Sequence, residues 1–151
     1  MFKITQLRQA APRALKEINS LISKLSLSRI PPKRLTGGFY KKLLGQKDFF
    51  LFGARGPHGS NDKLVGILSI YFVRIPTGLI ACAEDLIVQE DYRRWGVGRL
   101  LMEKGIEMAR LRQARHISLR TNPKRVEANR LYRSLGFKQM AANFYRINLF
   151  R

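Results

Sequence analysis

Residues 91–101 read Asp91-Tyr92-Arg93-Arg94-Trp95-Gly96-Val97-Gly98-Arg99-Leu100-Leu101, and these types at this spacing suit the binding of phosphate. Gly96 and Gly98 permit a tight turn whose backbone N–H groups point outwards, and a helix starting there adds partial positive charge. Arg93, Arg94 and Arg99 add full charges. An ordinary glycine turn entering a surface helix has the same spacing, so the flanking sequence must decide. Upstream, Glu84-Asp85-Leu86-Ile87-Val88 closes an apolar run; downstream stands Asn129-Arg130-Leu131-Tyr132-Arg133-Ser134-Leu135-Gly136-Phe137. Cys82 is the one cysteine, which excludes an intramolecular disulfide, and with only His58 and His116 beside it no metal site is expected. In its apolar run Cys82 reads as a small buried hydrophobe rather than a nucleophile, because no His or Asn lies near it in sequence.

These groups need elements to position them. Over 10–27, Ala14, Leu15, Ile18, Leu21, Ile22 and Leu25 recur at threes and fours and make one apolar helical face, with Pro12 in its first turn. Pro31-Pro32 interrupts the chain, and a shorter helix over 34–44 is ended by Gly45. Strands are predicted over 49–54, 64–75 and 79–88, joined by the turn-rich 56–62 and by Pro76-Thr77-Gly78, so three consecutive strands run antiparallel. Helical periodicity follows over 98–112, then a short strand over 116–121, a helix over 125–135 stopped by Gly136, and a closing strand over 144–150. The fold class is mixed α/β. At 151 residues, with no linker composition and no internal repeat, residues 1–151 are expected to form a single domain.

The apolar fraction of 45% supports a core and excludes a chain disordered by composition. Its apolar runs are interrupted well short of a membrane span, and the first residues lack the pattern of a signal peptide, so no membrane partner and a cytoplasmic location are expected. The formal net charge of +19, from 29 basic and 10 acidic residues, implies anionic partners. Arg and Lys are scattered along the chain rather than massed in one tail, which favours a solvated basic surface over a nucleic-acid site, without closing the second reading.

Taken in order, the acidic strand at 84–88, Arg93-x-x-Gly96-x-Gly98 and the Asn129…Tyr132…Gly136-Phe137 block resemble the GNAT N-acetyltransferase family, over about residues 83–137. The segment from Arg120 to Asn129, through Thr121, Asn122 and Pro123, looks like the members that acetylate small amines or have no known substrate. The resemblance implies the acyl-coenzyme A N-acyltransferase fold: a central, mostly antiparallel sheet with one splayed parallel strand pair, flanked by about four helices. It implies acetyl-coenzyme A as acyl donor and no metal. Arg93, Arg94, Trp95, Gly96, Val97, Gly98 and Arg99 would cradle the pyrophosphate. Leu86, Ile87 and Val88 would offer strand-edge hydrogen bonds to the pantetheine arm, and Asn122, Asn129 and Tyr132 would hold it further on. The thioester would enter between the strands at 79–88 and 116–121.

Transfer from a thioester to an amine requires a neutral amine, a stabilised oxyanion and a proton for the departing thiolate. Glu84 is the candidate base, on the strand beside the expected thioester, and in a regular strand Asp85 would point to the opposite face. An ion pair to a nearby Arg is the competing role for either carboxylate. Tyr132 matches the family's acid; the alternative is a helix aromatic packed in the core. The backbone N–H of Val88 is the expected oxyanion donor. The leading expectation is therefore acetyl transfer to a primary amine of a small molecule by direct attack in a ternary complex. An amine on a protein or aminoacyl-tRNA and a non-catalytic nucleic-acid-binding module are the alternatives. The acceptor pocket falls to 27–44, the turn at 75–79 and Tyr145, where Phe39, Tyr40 and Phe72 either line it or sit in the core. The chain is expected to act as a monomer, or as a homodimer through its last strand.

Overall fold

The computed structural model describes residues 1–24, 33–56 and 62–149, which fall into two compact units, Met1–Arg120 and Thr121–Arg151. The first unit is built on a five-stranded sheet in the order β1-β2-β3-β4-β5, formed by β1 (Lys3–Gln6), β2 (Phe49–Arg55), β3 (Leu64–Ile75), β4 (Gly78–Val88) and β5 (Ile117–Leu119). Neighbouring strands are antiparallel except β4 and β5, which are parallel. The expected mixed α/β fold with one parallel pair is thus the observed one.

β3 is buried from Leu64 to Ile70, and its nearly unbroken apolar sequence reflects cover on both faces. On one face lies α3 (Val97–Leu111), which buries Val97, Leu101, Met102, Gly105 and Ala109. Gly105 is there for closeness: a Cβ on it would stand 2.9 Å from Ile70 Cδ1 and 3.1 Å from Leu68 Cδ2. At the far end of this helix the Arg112 guanidinium lies 4.5 Å from the Phe72 ring centroid and pairs with Asp48 at 2.8 Å.

On the other face, Ile18 and Leu21 of α1 (Pro12–Ile22) and Tyr40 of α2 (Gly37–Leu44) join Leu51, Leu64, Ile67 and Ile87 in one buried cluster. α1 has Pro12 in its first turn as expected but is shorter than the expected 10–27, starting at Pro12 and ending at Ile22; Leu25 and the residues to 27 lie outside the described residues, as do Pro31 and Pro32. α2 is shorter than the expected 34–44, because Thr36 caps it by accepting the Phe39 N–H at 3.2 Å. Ahead of that cap, the Asn19 side chain accepts from the Leu35 N–H at 2.8 Å and donates to its carbonyl at 2.9 Å, fixing the approach to α2 against α1. Tyr40 and Phe72 belong to the core, whereas Phe39 is exposed. Of the 56–62 turn, residues 57–61, His58 among them, lie outside the described residues.

The second unit holds α4 (Val126–Ser134), which ends where the sequence places its stop: Gly136 has φ +88°, and the Phe137 N–H returns to the Tyr132 carbonyl at 3.0 Å. The expected closing strand is absent over the described part of its range, 144–149; Phe150 lies outside it. Its alternating side chains express a preference for a pleated surface, which becomes a strand only on a sheet edge. Here Tyr145, Ile147 and Leu149 are exposed.

Candidate active site

β4 and β5 share only the register Ala81↔Ile117, Cys82↔Ser118 and Ala83↔Leu119, yet β4 runs on to Val88. From Glu84 onward β4 therefore has β3 on one side and no strand on the other among the described residues. This parting of a parallel pair is the splay expected from the sequence.

β4 is not regular where it parts from its neighbour. The pairs Ile67↔Ile87 and Ser69↔Glu84 leave Asp85 and Leu86 together opposite Leu68, a β-bulge in which Asp85 takes φ +51°. The bulge shifts the alternation, so Glu84 and Ile87 lie on the same side of the sheet: Ile87 joins the α1 cluster, and Glu84 faces Ser69, which in turn faces Leu51 of that cluster. The regular strand on which Asp85 would turn away from Glu84 is therefore not the one formed. The Asp85 carboxylate instead accepts a hydrogen bond from Ser69 Oγ at 3.4 Å. Although the residue as a whole is exposed, desolvation of its carboxyl pushes it above the usual carboxylate range; the Glu84 charge adds to this and the Ser69 bond opposes it.

Glu84 is half-buried and accepts from Arg120 Nη2 at 3.0 Å. That pairing is the competing role set out for this carboxylate above. Around it lie Tyr71, Cys82 and Ser118, on the same side by register. Cys82 Sγ is 3.8 Å from Ser118 Oγ. Burial raises the Tyr71 phenol above its ordinary value, followed by its hydrogen bond to Cys82 and the charges of Cys82 and Glu84, with Arg120 pulling the other way. The same strands bury Ala81 and Ala83 on the opposite side. Tyr71, Ser69 and Arg120 were not among the sequence candidates. The signal for Arg120 is the matching period of two parallel strands: it follows Ser118 as Glu84 follows Cys82.

At the end of β4 the chain makes a 3₁₀ turn, Glu90–Tyr92, and then enters α3 through Arg93 to Gly96. Arg93 Nε donates to the Val88 carbonyl at 3.4 Å. Arg94 and Gly96 both have positive φ, +63° and +80°, and open space surrounds Gly96. Val97 is buried and anchors the turn; Gly98 and Arg99 complete the first turn of α3, which contains no acidic residue. Arg99 pairs with Glu103 at 3.6 Å. Trp95 is exposed and meets the Phe2 ring edge-on at 6.4 Å. The first N–H groups of a helix have no acceptor within it, so this turn presents donors, a dipole and arginines together.

In the second unit, Asn129 Nδ2 donates to the Asn122 carbonyl at 3.1 Å and the Arg125 carbonyl at 2.9 Å, while Asn122 Oδ1 accepts from the Lys124 N–H at 2.9 Å. Both asparagines thus order the loop that leads into α4. Tyr132 is half-buried, with its ring edge-on to Phe137 at 5.9 Å. Among the described residues no group of His, Cys, Asp and Glu is arranged to hold a metal ion, and no helix is long and apolar enough to cross a membrane.

The sequence matches the family described as Acetyltransferase (GNAT) family over residues 17–137, which is most of the chain. Among solved structures, a transcriptional regulator from Bacillus halodurans C-125 is similar at 23% identity and a TM-score of 0.79, over 99% of this chain and 100% of that one. An aminoglycoside acetyltransferase from an uncultured soil metagenomic sample, in complex with sisomicin, is similar at 20% identity and a TM-score of 0.77, over 97% of this chain and 96% of that one. A ribosomal-protein-alanine N-acetyltransferase from Brucella melitensis biovar Abortus 2308 is similar at 20% identity and a TM-score of 0.75, over 99% of both chains. At these identities the likeness is one of fold. No curated protein matches the sequence.

Proposed function

The chain belongs to the GNAT acetyltransferase family, and from that premise we propose that it carries an acetyl group from acetyl-coenzyme A to a primary amine of a small molecule, by direct attack within a ternary complex. The observation that carries this reading is the parting of β4 from β5 at Ala83, which leaves Glu84 at the mouth of the gap and the glycine turn of α3 at the far end of the same strand. We read the two units as parts of one acetyltransferase domain.

Acetyl-coenzyme A suits the residues present. The turn from Arg93 to Arg99, with an unencumbered Gly96 and no acid in the first turn of α3, is fitted to a pyrophosphate. Leu86 to Val88 would offer backbone groups to the pantetheine arm; in the second unit, Asn122 and Asn129 order the loop into α4. When bound, acetyl-coenzyme A supplies the acetyl group as a thioester. Glu84 would take one proton from the acceptor ammonium through a carboxylate oxygen, directly or through water, and so free the lone pair for attack. The Val88 N–H would face the developing oxyanion. As the adduct collapses and the carbon–sulfur bond breaks, Tyr132 would give its phenolic proton to the leaving sulfur, the second proton of the nitrogen would pass to solvent, and solvent would restore Glu84 and Tyr132 to their starting forms.

The net charge of +19 favours a second reading, in which the amine belongs to a macromolecule of acidic character. Binding of that kind would weaken steeply with added salt, whereas turnover of a small amine would change little.

Calorimetric titration with acetyl-coenzyme A, followed in the same buffer by thiol release against a panel of amines, tests the reading. Failure of the folded protein to bind acetyl-coenzyme A would overturn it. Replacement Tyr132→Phe keeps the ring and removes the proton, and should slow acetyl transfer by roughly 10²–10⁴-fold with acetyl-coenzyme A affinity retained. An undiminished rate removes Tyr132 as the acid.

A further inference from the structure

We infer that the acceptor carries a carboxylate beside its amine, in the manner of an α-amino acid, and that Glu84 and Arg120 divide the two charges between them. This rests on the acetyl-transfer reading above and names its substrate class.

Cys82 and Ser118 are the last residues with side chains on this face in the paired part of β4 and β5. Two positions further on stand Glu84 and Arg120, joined at 3.0 Å where the strands part, with side chains 34% and 58% exposed. An ion pair so open to water adds little to stability and separates at little cost. Within an α-amino acid, the amine nitrogen and the nearer carboxylate oxygen lie about 2.7 Å apart, from standard bond lengths and angles. That separation resembles the Arg120–Glu84 contact, so a zwitterion set against the pair exchanges one ion pair for two: ammonium on Glu84 and carboxylate on Arg120. The planar guanidinium fork takes a carboxylate through two parallel hydrogen bonds, which orients the amine towards the gap as well as holding it.

A plain amine lacks this match. Its ammonium would approach Glu84 with the Arg120 cation alongside, and a polyamine would bring several positive charges to a chain of net charge +19. Asp85 does little to offset this, because its carboxylate is engaged by Ser69. An α-amino acid with an uncharged side chain enters with no net charge and loses nothing to that field.

The test compares thiol release from acetyl-coenzyme A with a series of α-amino acids, the same compounds as primary amides, and the corresponding amines without the carboxyl carbon. The amides also stand in for a protein N-terminus. The acids should exceed amides and amines in kcat/KM by about tenfold or more, the factor that about 1.4 kcal/mol represents. In Arg120→Gln that preference should disappear, chiefly through KM, with acetyl-coenzyme A affinity unchanged by calorimetry; Arg120→Lys should recover part of it. Amides or plain amines turned over as well as the acids, a preference that survives in Arg120→Gln, or no turnover of any acid by protein that binds acetyl-coenzyme A would each overturn the inference. Absence of acetyl-coenzyme A binding would instead overturn the reading on which it rests.

Discussion

The two sides of β4 follow different rules within a few residues of one another. Ala81 and Ala83 are 0% and 4% exposed on the side of α3, where small side chains let helix and sheet approach. Cys82 and Glu84, which alternate with them, are only partly buried and meet Tyr71, Ser118 and Arg120. One set answers to volume and the other to charge. The strand's period of two keeps them apart, so chemistry on one side need not disturb packing on the other.

The sharpest way to break this division is to remove charge without changing shape. Glu84→Gln should slow acetyl transfer by roughly 10²–10⁴-fold while the thermal midpoint stays close to that of the parent. A normal rate would reduce Glu84 to the partner of Arg120. Next in size is a change on the packed side. Gly105→Val places atoms where Ile70 and Leu68 already stand and should cost about 1–3 kcal/mol, read as a lower urea midpoint, with the kcat of the folded fraction preserved. Loss of turnover in molecules that remain folded would show that the two sides are coupled.

The smallest effect concerns Asp85, whose carboxyl is pushed upward by desolvation. A carboxyl raised in the folded state contributes stability below the ordinary carboxylate range and loses it as the pH rises through the raised value. At neutral pH the ionised group is therefore a burden, and Asp85→Asn should lift the thermal midpoint slightly there and lose its advantage on acidification. Asn also tolerates the positive φ of this position. A midpoint lowered at neutral pH would mean that the charge of Asp85 is needed.

Much of this arrangement was legible in the sequence because it is written in burial. β3 is covered on both faces and reads as a continuous apolar run; α1 has one apolar stripe; Gly136 ends α4 by its conformation. The glycine turn ahead of α3 was legible for a related reason, since Gly96 occupies a region that few other residues accept. β1 was not, because Lys3-Ile4-Thr5-Gln6 is short and only half-buried. The bulge at Asp85 leaves no pattern of residue types, and the meeting of Glu84 with Arg120 depends on a register between strands far apart in sequence. Residues 144–149 erred the other way: a strand-like alternation forms no strand among the described residues.

β1 also bears on self-association. It is an edge of the sheet, and an edge strand is a template onto which another copy can add by backbone pairing. This edge is only four residues long and opens on the exposed Lys3, in a chain whose copies repel one another through a net charge of +19. Short length, a lysine and mutual repulsion are devices against polymerisation. A basic composition of this size thus acts against aggregation whatever the protein binds.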